Sequence, residues 1–258
     1  MLALSVWTWW VVFVRVGAAL AVLPVFSSSQ FPVRLRLGIA AVVSWFIASA
    51  MPVTASALPA AGSVGGVVLL LATETAVGLL LGFVGRMLFY ALDAAGSILS
   101  TQMGLMLASD INPFSGGRTD APGILLNYLA VTLFLTLDLH HVALAGLQRT
   151  YAVLPVGGAG LSEDVLMDVV KLTGGIFTAA VQISAPVMAV SFLVSVIFSL
   201  LGRAVQQMNV FAESFAFRTL SGLVVFGLSL NLMAQHIVNY LNRLPTDILR
   251  VAQLLGRG

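Results

Sequence analysis

Val64–Pro113 reads VGGVVLLLATETAVGLLLGFVGRMLFYALDAAGSILSTQMGLMLASDINP. No proline interrupts it until its last residue, and the apolar character holds from Val64 to about Ala108. As one helix of about 45 residues it would be roughly 67 Å long at 1.5 Å per residue. That is over twice the ~30 Å hydrocarbon core of a bilayer. Such a helix either breaks or leaves the lipid and continues inside a protein assembly. Glu74 sits alone in its first half. Its second half carries Arg86, Tyr90 and Asp93 at i, i+4 and i+7, on one helix face. Two readings of that face are open: a polar stripe against a partner, or an ion network within the helix. Gly78, Gly82 and Gly85, spaced by four and three residues, permit a close approach by another helix.

The rest of the chain carries the same signature. Of 258 residues, 59% are hydrophobic and 9% charged, against ~25% charged in a soluble domain. A chain of this kind cannot cover itself with polar surface, so it is an integral membrane protein. The expected fold is all-α, a single domain over residues 1–258. Its apolar segments lie at about 4–23, 37–50, 64–108, 124–139, 165–201 and 215–239. The net charge of +2 is spread over scattered arginines, which argues against nucleic acid. With no cysteine there is no disulfide, thiolate nucleophile or cysteine-held metal. The first apolar segment lacks a basic leader and a small-residue cleavage site, and it is read as retained.

On the N-terminal side, Trp7, Trp9 and Trp10 sit where a membrane interface is expected. Arg15 falls near mid-helix, where it costs roughly 2.5–3.5 kcal/mol in lipid and so must face protein or water. It either pairs with a neighbouring helix or takes part in transport. Pro24 ends that helix, Pro32, Arg34 and Arg36 precede the next, and an uncharged Pro/Ala/Ser-rich linker runs to about Gly62.

On the C-terminal side, Asp138, His140 and His141 close the fourth segment. Adjacent side chains on a helix point about 100° apart, so one shared ligand is not expected there and no metal is assigned. LPVGG at Leu154–Gly158 is read as loop, and Ser162, Glu163 and Asp164 as a helix start. Pro186 should kink the fifth segment. RAVQQMNVF at Arg203–Phe211 interrupts it, and the tail carries Arg243, Asp247, Arg250 and Arg257. Arginine placement gives contradictory orientations for a six-span serpentine, so that topology is not expected.

Beyond the long segment, MGLMLASDINPFSGGRTDAPG (Met103–Gly123) is dense in Asp, Asn, Pro, Gly and Arg. Asn112-Pro113 and Gly116-Gly117 forbid a continuous helix. From the residues alone it is an ordinary loop between two membrane helices.

Four blocks in order resemble the FliR family of flagellar biosynthetic proteins and, more distantly, the T subunit of type III secretion export gates. They are RVGAALAVLPVFSSSQFPVRLRLG (Arg15–Gly38), AGSILSTQMGLMLASDINP (Ala95–Pro113), LFLTLDLHHVAL with the later LPVGG (Leu133–Gly158), and LLGRAVQQMNVF (Leu200–Phe211). The chain departs from the family at Asn112-Pro113, where Asp-Pro is usual, and at Gln206-Gln207, where Pro-Gln is usual. The resemblance implies a non-enzymatic subunit of helical hairpins with overlong, kinked helices. It would join FliP and FliQ homologues in a helical ring in the bacterial inner membrane, within a flagellar basal body and rising toward the periplasm. An FlhB homologue, unfolded export substrates and membrane lipid complete the implied partners; no cofactor is implied. The closure of the pore would be the loop at 110–122. Met103, Met106, Asp110, Asn112, Pro113, Phe114, Ser115, Gly116 and Gly117 are its candidate residues. Methionine and phenylalanine suit a non-directional seal, and glycine allows a swing. Candidate subunit contacts are Arg15, Arg86, Asp93, Arg203, Gln207, Asn209 and Phe211. The rival reading is a small proton-coupled secondary transporter using Arg15, Glu74, Asp93 and Asp138, although no repeat relates the two halves. An intramembrane enzyme would have only Asp138, His140 and His141, with no nucleophile in a recognisable context.

Overall fold

The computed structural model describes residues 2–28, 31–50, 64–105, 120–160, 162–205 and 209–257, without the side chains of 2–5, 210 and 211. Seven helices and no strand are found among them. They are α1 (Leu2–Val22), α2 (Val33–Ala50), α3 (Val64–Gln102), α4 (Ala121–Thr136), α5 (Leu139–Val153), α6 (Glu163–Ala204) and α7 (Val210–Leu255). Helix is the expected result for apolar sequence in lipid, because it satisfies every backbone polar group within the segment.

Four helices, α2, α3, α6 and α7, are long and apolar enough to cross a membrane, and the broken pair α4 and α5 makes a fifth candidate. The expected excess length is present in α3 and α6, with 39 and 42 residues, and α7 is longer still at 46. Two boundaries differ from the sequence reading. The fourth segment does not end in a loop at the histidines. Asp138 takes a left-handed conformation (φ 54°, ψ 21°), and a new helix, α5, starts at once. The last helix does not stop near Asn239 but continues through Pro245 to Leu255. Pro186 likewise lies inside α6, which continues past it.

The helices divide into two compact units. The first holds residues 1–87, 135–173 and 242–258. In it α1 runs parallel to α3 with almost no space between them. A Cβ on Gly78 would lie 2.3 Å from the Arg15 carbonyl oxygen, and one on Gly82 2.6 Å from that of Ala19. The glycine spacing on α3 is therefore a groove for α1. Val12, Val16 and Leu20 of α1, Leu81 of α3, Leu147 of α5 and Val251 of α7 form the buried core. Trp9 Nε1 donates to the Ala41 carbonyl and ties α1 to α2 at 3.1 Å.

The second unit holds residues 88–134 and 174–241. Here α3 and α4 form one antiparallel hairpin: Asp93 meets Asn127 and Ser100 meets Asp120. A second antiparallel hairpin, α6 with α7, brings Gln182 to Tyr240 and Phe198 to Phe217. Leu92, Leu99, Met103, Leu126, Phe134 and Met233 are buried between them. The outer face is equally apolar: Phe177 is 71% exposed and Leu228 81%.

Candidate functional site

The two ends of the loop that joins α3 to α4 are both fastened within the second unit. The first fastening is at the end of α3. Met103 and Gly104 leave the helix in a turn, with Gly104 at φ 75°, a conformation glycine adopts without a Cβ penalty. A helix C-terminus leaves carbonyls without intrahelical donors. Ser191 Oγ of α6 donates to the Gln102 carbonyl at 3.1 Å, and Thr219 Oγ1 of α7 to the Met103 carbonyl at 2.8 Å. The Met103 side chain is fully buried against Gly222, where a Cβ would come within 2.7 Å of its Cγ. Phe215 covers Gly104.

The second fastening is Asp120, the N-cap of α4. Its Oδ1 accepts from the Ser100 hydroxyl at 2.5 Å and from the Gly123 amide at 3.4 Å, and its carbonyl accepts from Ile124 N at 2.9 Å. That is the usual way an Asp side chain satisfies an orphan donor in the first turn. Gly96 and Gly123 let the two helices meet here, since a Cβ on Gly96 would lie 2.2 Å from the Gly123 Cα. One turn further along, Asn127 Nδ2 donates to Asp93 Oδ1 at 2.7 Å and to the Gly123 carbonyl at 3.0 Å. An open groove of about 350 Å³ runs past Asp93, Asp120, Asn127 and Tyr128.

The first unit holds a buried ion pair. Arg15 Nε donates to Glu74 Oε2 at 2.5 Å and its Nη2 to Glu74 Oε1 at 2.9 Å, the fork geometry of a bidentate pair. The exposures are 0% and 1%. The rest of the guanidinium is also used. Nη1 donates to the Leu154 carbonyl at 2.9 Å, and the Tyr151 ring lies 4.3 Å from Cζ. Glu74 Oε1 takes a further bond from Gly157 N at 2.9 Å, made possible by the positive φ of Gly157. LPVGG is thus the receptor for this pair: Leu154 supplies an acceptor, and a turn closed by Gly158 N on the Pro155 carbonyl presents the Gly157 donor.

The candidate residues fall into different places. Met103, expected in the closure, is a fastening inside the second unit, with its side chain fully buried within its own chain. Met106, Asp110, Asn112, Pro113, Phe114, Ser115, Gly116 and Gly117 lie outside the described residues, as do Gln207 and the side chain of Phe211. Arg15, expected at a subunit contact, meets Glu74, Leu154 and Tyr151 of its own chain. Arg86 donates to Ser27 Oγ at 3.1 Å, and Asp93 remains exposed while bound to Asn127. Arg203 is exposed in the last turn of α6, where a cation suits the helix dipole. Asn209 is exposed and caps α7, its Oδ1 accepting from Ala212 N at 3.3 Å. Asp138, His140 and His141 are brought together at the break between α4 and α5.

Asp120, Ser100, Ser191 and Thr219 were not singled out from sequence. For Asp120 the signal was present, since Asp followed by Ala-Pro-Gly is a helix start with proline in the first turn. For the hydroxyls there was none; a serine or threonine in an apolar helix ordinarily bonds its own backbone.

The family described as bacterial export proteins, family 1, matches residues 6–244. The chain is 30% identical to the flagellar biosynthetic protein FliR of Caulobacter vibrioides over 221 residues, 85% of this chain and 87% of that one. It is 26% identical to FliR of Escherichia coli strain K12 over 244 residues, 93% and 92% of the two chains. It is also similar to the Yop proteins translocation protein T of Yersinia pestis, 29% identical over 200 residues and 76% of each. A match that takes in both fastenings, the buried ion pair and most or all of each of the seven helices places this chain in the family of bacterial export proteins, family 1.

Proposed function

We propose that this chain is a non-enzymatic subunit of a bacterial type III protein-export gate in the inner membrane. Together with FliP and FliQ homologues it forms a ring around a pore for unfolded flagellar proteins, next to an FlhB homologue, and the loop at 110–122 closes that pore. The observation that carries the closure reading is the double fastening. Gln102 and Met103 are held by Ser191 and Thr219, and Asp120 is held by Ser100. Between them lie the fourteen residues 106–119. Their fully extended length is about 50 Å, so a loop with both ends fixed close together reaches roughly 20 Å from its base. A closure needs this combination of rigid base and long reach, and its glycines allow the swing. The buried charges support a structural role over a proton-coupled carrier. Both oxygens of Glu74 are already engaged by Arg15 and Gly157.

The test is ion permeability of cells that co-express the chain with its ring partners. Deletion of Phe114–Gly117, or Gly117→Arg, is expected to make the membrane leaky to small ions while the complex still assembles. An assembled complex with unchanged permeability would remove the closure role.

A further inference from the structure

We propose that Asp138, His140 and His141 form a binding site for a divalent transition metal, with Zn2+ the ion best matched to the donors. The inference is independent of the export-gate reading. The sequence argued against it, because neighbouring histidines in a continuous helix diverge. Both histidines lie in the first turn of α5, yet their ring centroids are only 4.0 Å apart, and the break just before them frees the third donor, Asp138. Asp138 stands at φ 54° between the end of α4 and the start of α5, so its side chain does not follow the helical register. One donor atom from each of the three residues lies within 4.8 Å of the others. His141 Nδ1 is 3.5 Å from Asp138 Oδ1, and the two imidazole centroids are 4.0 Å apart. Ligands at ~2.0–2.1 Å on a tetrahedral ion stand about 3.3–3.4 Å from each other, so the Asp138–His141 pair is already near ligand spacing.

The surroundings suit a captured ion. Asp138 occupies the N-cap of α5, yet its side chain makes no capping hydrogen bond, so the carboxylate is not committed to the helix. The side chains of His141 and Asp138 are 72% and 76% exposed, so the rest of the chain does not cover them. Two imidazoles and one carboxylate supply three ligands and leave a fourth position for water or a donor from another molecule. This N2O set is one that zinc accepts, and nickel and copper bind to such sets in the order of their general affinity. Bound there, the ion would clamp the turn between Thr136 and Leu139.

The chain contains no cysteine and only three histidines, so attribution is direct. The full-length protein, without a polyhistidine tag, is titrated with Zn2+ in detergent against a chromophoric chelator. One equivalent is expected. His140→Ala, His141→Ala and Asp138→Gly should each weaken binding at least tenfold, since even the outer partners of a metal site are worth about 10- to 100-fold. Asp138→Gly keeps the positive φ at no steric cost, so it removes the carboxylate without breaking the turn. His236→Ala is expected to bind as the parent does, and circular dichroism checks that each variant keeps its helices. A parent that binds Zn2+ no better than the His140→Ala/His141→Ala double variant overturns the site. So does a variant set in which only one of the three residues matters.

Discussion

Replacing Arg15 with methionine removes a guanidinium that meets Glu74, the Leu154 carbonyl and the Tyr151 ring at once. Glu74 would be left 1% exposed with a single remaining donor, Gly157 N. Loss of one partner of a fully buried pair costs about 3–5 kcal/mol, whereas replacing both by apolar residues is often neutral. Arg15→Met is therefore expected to lower the denaturation midpoint of the detergent-solubilised protein strongly, and Arg15→Met/Glu74→Leu to recover most of the loss. A double variant as unstable as the sum of the singles would show that the pair is not coupled. The need of Arg15 for a partner was legible from its mid-helix position. Its partner was not, because Glu74 lies 59 residues away and no periodicity relates two sites on different helices. The same holds for LPVGG, which reads as a turn but gives no sign of what it receives.

Two helices that meet through glycine respond to volume before anything else. Gly96→Val puts carbon where the Gly123 Cα already lies and must push α3 from α4. A loss of about 1–3 kcal/mol is expected, together with loss of the Ser100–Asp120 contact at the loop base. Gly174→Ala is the contrasting change. Nothing lies within 4 Å of a Cβ there, inside α6, so the isolated chain should gain about 0.5–1 kcal/mol of helix propensity. Thermal melts of the two variants should move in opposite directions; a common direction would mean that the close approach is not what Gly96 serves. Asp120→Ala removes both the cap and the acceptor for Ser100, and about 0.5–2 kcal/mol is expected from the cap alone. At this scale much could be read in advance. The Gly78/Gly82/Gly85 groove was visible as spacing, whereas Asn209 and Asp120, of cap-forming type, were not read as caps. The start of α5 was not, because a polar Asp-x-His-His looks like the end of a span, and only the left-handed Asp138 turns it into the start of another.

The helices α3, α6 and α7 are about 58, 63 and 69 Å long at 1.5 Å per residue, against a hydrocarbon core of ~30 Å. Their outer faces are apolar along much of that length, with Phe177, Phe192, Leu220 and Leu228 each more than 60% exposed. Lipid covers about half of such a helix, and the remainder needs protein. If the proposed ring forms, the chain made alone is expected to be degraded faster than the chain co-expressed with the proposed partners, as a pulse-chase would measure. Equal half-lives, with the isolated chain a stable monomer, would contradict an assembly role. The excess length was legible directly from the proline-free run of α3. The continuation of α7 to Leu255 was not, because Pro245 and the arginines around it imitate a helix end and a solvated tail. One of those arginines, Arg250, instead meets the buried Asp168 at 2.5 Å.

The acceptor of Arg15 at Leu154 is 139 residues downstream, which sets an order on synthesis. A ribosome adding about 5–20 residues per second needs roughly 10–30 s to reach it. Until Glu74, 59 residues downstream, is made, the first helix carries an uncompensated cation that lipid rejects by roughly 2.5–3.5 kcal/mol, and until Leu154 follows, its guanidinium still lacks one acceptor. The nascent amino terminus is therefore expected to linger at the insertion machinery, neither released into the bilayer nor lost from it, until the last of its partners is translated.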